Sequence, residues 1–92
     1  MKNSHNIYLI SDSTGETLDR IFLALKAQFK NFDYQINQFS FTRTETQIKK
    51  IVENAEINKN SIILYTIVNS KLAKFLTEES NKKKIPCFGV LG

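Results

Sequence analysis

Ile7-Tyr8-Leu9-Ile10, then Ser11-Asp12-Ser13-Thr14-Gly15-Glu16-Thr17, then Leu18, Ile21, Phe22, Leu25 and Phe29 decide how the rest of the chain is read. Four successive apolar residues between polar neighbours predict a short buried strand. The apolar positions that follow recur at helical spacing and predict an amphipathic helix over about residues 14–30. A strand that passes through a short polar loop into a helix is the first half of a βαβ unit, and the pattern then repeats.

Residues 34–41 read as a second strand whose alternation changes phase between Ile36 and Phe39, which suits a bulged or edge strand. Ile48, Ile51, Val52 and Ala55 mark a second helix, opened by Thr44 with Gln47 three residues on, a capping-box spacing. Residues 61–68 are apolar at nearly every position, as in a central parallel strand covered on both faces. Leu72, Ala73, Phe75 and Leu76 mark a third helix with Asn69 or Ser70 as its cap. Residues 85–91 read as a fourth strand, in which Pro86 is tolerable only near the start or on an edge. The order β-α-β-α-β-α-β predicts an α/β fold: a four-stranded parallel sheet with three right-handed crossover helices, Rossmann-like or flavodoxin-like. Residues 1–92 then form a single α/β domain. Three helices cannot cover two faces evenly, so one face should carry a single helix. Because the sequence ends at Val90-Leu91-Gly92, directly after a strand, more chain or another subunit is expected to cover the remaining apolar surface.

Composition narrows the function. With 92 residues, 41% hydrophobic and 24% charged, one core is feasible. The net charge of +4 comes from 13 basic residues, of which 11 are lysines spread along the chain. Nucleic-acid recognition usually needs a concentrated basic face with arginine, so no nucleic-acid partner is expected. One cysteine, Cys87, excludes an internal disulfide and fits a reducing, cytoplasmic location. With one histidine, His5, and one cysteine, no metal site is expected. The longest apolar run, residues 62–68, is too short to span a bilayer.

In open parallel sheets ligands bind at the carboxyl ends of strands, where the direction of connection reverses. The segments there are residues 11–17 after the first strand, 42–44 after the second and 66–70 after the third, and the candidates among them are Ser11, Asp12, Ser13, Thr14, Gly15, Glu16, Thr17, Arg43, Thr44 and Thr66. The first loop joins a strand to a helix, contains a glycine and supplies four hydroxyls, which suits a phosphate cradle. It is neither a Walker loop nor the dinucleotide fingerprint, because the required glycines are missing. Ser13-Thr14-Gly15-Glu16 also fits a capping box with no ligand at all, and Glu16 would compete with an anion at the helix start. Asp12 can hold a metal-bound phosphate, act as a base, or simply bond loop amides. Arg43 suits a phosphate or carboxylate by its bidentate guanidinium, and equally a surface ion pair. His5 reads as a solvated terminal residue, Cys87 as a buried small hydrophobe, Lys82-Lys83-Lys84 as a solvated turn, and the phenylalanines as packing.

Asn6-Ile7-Tyr8-Leu9-Ile10 followed by Ser11-Asp12-Ser13-Thr14-Gly15-Glu16-Thr17 resembles the amino terminus of the pyruvate, phosphate dikinase and phosphoenolpyruvate synthase regulatory proteins. The resemblance continues through Arg43-Thr44, Leu64-Tyr65-Thr66-Ile67-Val68 and Ile85-Pro86-Cys87 to Val90-Leu91, so it covers essentially the whole chain. It implies a bifunctional serine/threonine kinase and phosphorylase with ADP and inorganic phosphate as substrates. Such a protein inactivates a phosphohistidine form of the dikinase on a threonine and reverses this by phosphorolysis, releasing pyrophosphate. The implied partner is pyruvate, phosphate dikinase or phosphoenolpyruvate synthase, with a homo-oligomer also open. Family members are some three times longer and carry their nucleotide-binding P-loop in the carboxy-terminal part. Residues 1–92 lack it, so no kinase activity and no bound cofactor is expected of them alone. The ten loop residues named above match the family pattern, with no catalytic role assigned to any.

Ser13-Thr14-Gly15-x-Thr17 also resembles the phosphate loop of flavodoxins, which would make the chain an FMN-binding electron carrier. Two loop carboxylates, the absence of tryptophan and the lack of a fifth strand oppose that reading. A noncatalytic interaction module is the third reading. A phosphoacceptor receiver is not expected, because the third strand ends in Tyr65-Thr66, where an aspartate is needed.

Overall fold

The computed structural model describes residues 5–27 and 33–90, apart from the Leu25 side chain. Seven elements alternate: β1 (His5–Ser11), α1 (Glu16–Lys26), β2 (Tyr34–Phe39), α2 (Glu45–Ile57), β3 (Ser61–Thr66), α3 (Ser70–Lys82) and β4 (Cys87–Gly89). The strands form one parallel sheet in the order β2-β1-β3-β4. This is the expected Rossmann-like α/β arrangement.

The two faces of the sheet follow from strand periodicity. In β1, Tyr8 and Ile10 point to one face and Leu9 to the other. Right-handed crossovers put α2 and α3 together on the Tyr8 face and leave α1 as the one described helix on the Leu9 face. The larger core joins Tyr8, Ile10 and Ile63 to Ile48, Ile51, Val52 and Ala55 of α2 and to Leu76 of α3. The smaller joins Leu9 to Leu18 and Phe22 of α1. β3 carries apolar residues on both faces for this reason: Ile63 serves the larger core and Leu64 packs against the smaller.

Several boundaries differ from expectation. Helix α1 spans Glu16–Lys26, starting two residues after position 14; Phe29 and Lys30 lie outside the described residues. β2 stops at Phe39 and pairs with β1 in unbroken register from His5↔Tyr34 to Ile10↔Phe39, so it has no bulge. Its phase change reflects an edge strand with apolar residues on both sides: Ile36 aligns with Ile7, while Phe39 stacks on Tyr8 with ring centroids 6.0 Å apart. β3 ends at Thr66, after which Ile67 stays buried and Val68 is exposed. β4 is only three residues long, since Pro86 has no N–H to donate; its carbonyl still accepts from Ile63 N at 2.9 Å. His5 is the first residue of β1 rather than a residue before it, and its N–H donates to the Asp33 carbonyl. Of Lys82-Lys83-Lys84, Lys82 closes α3, Lys83 caps it and pairs with Glu56 at 3.3 Å, and only Lys84 lies in the turn beyond. Not all phenylalanines pack: Phe41 and Phe88 are more than half exposed.

The helix caps form as the local sequence dictates. The Thr44 side chain accepts from Gln47 N, and the Gln47 side chain returns to Thr44 N at 3.0 Å. Asn69 accepts from Lys71 N and Leu72 N at the start of α3. Replacing Thr44 by alanine is expected to lower the stability of the chain by about 1 kcal/mol, read as a lower urea midpoint with unchanged slope.

Candidate functional site

β1 lies between β2 and β3, and the chain leaves it through α1 toward one side and returns through α2 to the other. The crevice at the carboxyl ends of β1 and β3 is therefore the switch point of this sheet. Three loops meet there: residues 12–15 after β1, 40–44 after β2 and 67–69 after β3.

Backbone bonds join the first two loops. Thr42 N donates to the Ser11 carbonyl at 2.8 Å and Phe41 N to the Ser13 carbonyl at 2.9 Å. Ser40 Oγ adds a bond to the Thr14 carbonyl, and Arg43 Nε one to the Asp12 carbonyl, each 3.0 Å. Asp12 ties the third loop in: its N–H donates to the Thr66 carbonyl, and its Oδ2 accepts from Val68 N at 2.9 Å. Of the readings open for Asp12, the structure realises the bonding of loop amides. The Arg43 guanidinium lies over the Phe41 ring, 5.3 Å from its centroid, which holds a cation at the rim by stacking rather than by an ion pair.

Gly15 adopts φ +84°, which places its carbonyl to accept from Asp19 N and so to open α1. Here the capping box expected at Ser13 and Glu16 fails. Ser11 Oγ accepts from Ser13 N at 3.0 Å and lies 3.3 Å from Ser13 Oγ, so the Ser13 hydroxyl turns back toward β1 and away from the helix start. Glu16 and Thr17 are exposed in the first turn, where Glu16 and Asp19 complement the helix dipole.

The structure thus gathers Ser11, Asp12, Ser13, Thr14, Gly15 and Arg43 into one bonded cluster, with Glu16 and Thr17 beside it. Thr44 belongs to the same rim, although its hydroxyl is committed to the α2 cap. Thr66 is buried opposite Ser11 in the β1–β3 ladder, beneath the rim rather than on it. Sequence reading did not place Ser40 and Phe41 at this rim, whereas Thr42 and Val68 lie in the segments it put there. Phe41 holds φ 54°, unusual for an aromatic residue, and no local pattern announces that conformation.

Cys87 packs at the edge of the larger core; burial pushes its thiol above the ordinary range, and the Ser80 hydroxyl acts the other way. A groove of about 430 Å³ lies at the opposite, amino-terminal end of the strands, lined by His5, Lys59, Lys84 and others, away from the switch point. Among the described residues, no group of three or more His, Cys, Asp or Glu could hold a metal ion, and no helix is long and apolar enough to cross a membrane.

The family described as kinase/pyrophosphorylase matches residues 7–92. A relative from Pelagibacter ubique (strain HTCC1062), named pyruvate, phosphate dikinase regulatory protein, is 63% identical over 100% of this chain and 34% of its own length. A relative of the same name from Alkaliphilus oremlandii (strain OhILAs) is 44% identical over 92% of this chain and 30% of its own. One from Syntrophomonas wolfei is 38% identical over 97% and 32%, respectively. The chain therefore spans about a third of the length of the curated relatives it matches. A match over nearly every residue, on the fold and loops described above, means that the chain belongs to the kinase/pyrophosphorylase family.

Proposed function

We propose that the chain is the part of a regulatory phosphotransferase that supplies a phosphate-facing rim and protein contacts, while nucleotide handling resides in the remaining two-thirds found in its relatives. The whole protein transfers a phosphoryl group from ADP to a threonine of pyruvate, phosphate dikinase or phosphoenolpyruvate synthase, and removes it with inorganic phosphate. The single observation that carries this reading is the family match over residues 7–92. The names of the relatives support the dikinase as partner.

The geometry supports an anion-facing role for the rim. Gly15 opens α1 with a carbonyl and no side chain over the first amides, so the positive end of the helix faces the loop region. Arg43 is fixed 31 residues away in sequence against Asp12, at the same rim. Glu16 opposes a fully charged dianion, so weak binding is expected unless further groups join.

An amide NMR titration of the chain with inorganic phosphate, then ADP, then FMN tests the reading. Phosphate is expected to shift the amides of residues 13–17 and 43, and Arg43→Ala to weaken that response about tenfold, as loss of a charged hydrogen bond does. A spectrum that no ligand disturbs would reduce the loop to a helix start. Uptake of FMN with flavin absorbance would favour the electron-carrier reading instead. Incubated with ADP and the dikinase, the chain alone is expected to form no phosphothreonine; its formation would refute the division of labour.

A further inference from the structure

Helix α1 lies over β1 and β3 and is the only described helix on its face. In-register parallel neighbours share a face, so that face carries the row Ile36–Ile7–Ile62 and the row Leu9–Leu64–Phe88. Leu9 is buried under α1, whereas Ile62 and Leu64 are half-buried and Phe88, on β4, is 55% exposed. α1 therefore forms one wall, and Ile62, Leu64 and Phe88 the floor, of an apolar strip open along the β4 side. A strip of this shape, beside a helix and on a sheet, fits a second helix lying next to α1.

None of the described helices is free to fill it. The apolar stripes of α1 (Leu18, Phe22), α2 (Ile48, Ile51, Val52) and α3 (Leu76) are all buried in their own cores. Among the described residues, a second copy of the chain has no spare amphipathic helix to offer. The direction of winding limits the alternatives further. β3, α3 and β4 step outward with α3 on the α2 face, so another outward right-handed crossover from β4 would add to that same crowded face. Covering Phe88 requires an element that comes back across the sheet on the α1 side. The matched relatives have about two-thirds of their length beyond what this chain spans.

We infer that the α1-side strip over β3 and β4 is a docking surface for an apolar-faced helix from that remaining two-thirds of the relatives' polypeptide. The inference needs no ligand at the rim, so it stands or falls apart from the reading above.

Single-cysteine labelling tests it. On a Cys87→Ser background, Phe88→Cys, Ile57→Cys and Val52→Cys are made in this chain and in a chimera in which residues 1–92 replace the matching segment of the Pelagibacter ubique relative. Ile57 is 79% exposed, at the far end of α2, and Val52 is 1% exposed in the larger core. Maleimide labelling of Phe88→Cys is expected to slow about tenfold or more from the free chain to the chimera, as on burial of an open site, while Ile57→Cys labels equally in both. Equal labelling of Phe88→Cys in both would overturn the inference. So would protection in the free chain that grows with its concentration, since a second copy would then be the occupant. Val52→Cys reports the fold of the graft. Should it label rapidly in the chimera, the comparison is made in the relative itself, with cysteine at the position aligned with Phe88, and the same two outcomes decide.

Discussion

Replacing Ile63 by alanine is expected to lower the unfolding free energy by about 3 kcal/mol, within the range for deleting a buried branched side chain. Ile63 is fully buried at the middle of β3, with Tyr8 on one neighbouring strand and Cys87 on the other. It sits where the larger core joins the sheet to α2 and α3. A cavity there cannot be filled by a flexible neighbour, because the adjoining strands are held by ladder bonds and the helices by their own buried stripes. A domain of this size commands roughly 5–14 kcal/mol in all, so the loss is a large part of it. Chemical denaturation of both proteins measures the difference. Ile57→Ala, at a residue 79% exposed, should change stability by no more than about 0.5 kcal/mol. Similar losses for the two would contradict the packing described here.

Gly15→Val carries the second large effect, expected at about 2 kcal/mol or more, since a branched L-residue is strained in the left-handed region. Gly15 holds φ +84°, and an added Cβ would also come within 2.9 Å of Gln38 Nε2. Gln38 is exposed and can swing aside, so the backbone rather than the clash sets the cost. The consequence is local as well as global. If residue 15 leaves this conformation, the loop can no longer present the Ser13 carbonyl to Phe41 N and the Thr14 carbonyl to Ser40 Oγ. Amide exchange at Phe41 is expected to accelerate more than exchange at Ile63, and the phosphate response of residues 13–17 to disappear. A variant of wild-type stability with an unchanged Phe41 amide would show that the loop does not depend on this glycine.

The local signals were legible in one dimension. Thr44 with Gln47, and Asn69 before Ser70, announce helix starts because a cap is formed by residues two or three apart. The unbroken apolar run of β3 announces a central strand because it carries apolar residues on both faces. The loop from Ser11 to Thr17 announces the family because its residues stand together in the chain. The sequence by itself therefore determined the element order, the parallel sheet, the single helix on one face and the sheet end at which the three loops meet.

Tertiary structure decided what distant residues do to one another. Asp12 reaches Val68 across 56 positions and receives Arg43 across 31, bonds that no local pattern encodes. Ser13 and Glu16 had the spacing of a capping box, yet the Gly15 carbonyl opens α1 and the nearby Ser11 hydroxyl engages Ser13. Phe88 has the composition of a core residue and lies exposed, because β4 is at the sheet edge. Bonds between near neighbours depend on residue type and spacing, which a sequence displays. Bonds across the crevice, and the covering of a sheet face, depend on where the crossovers bring separate segments together, and only the folded chain sets that.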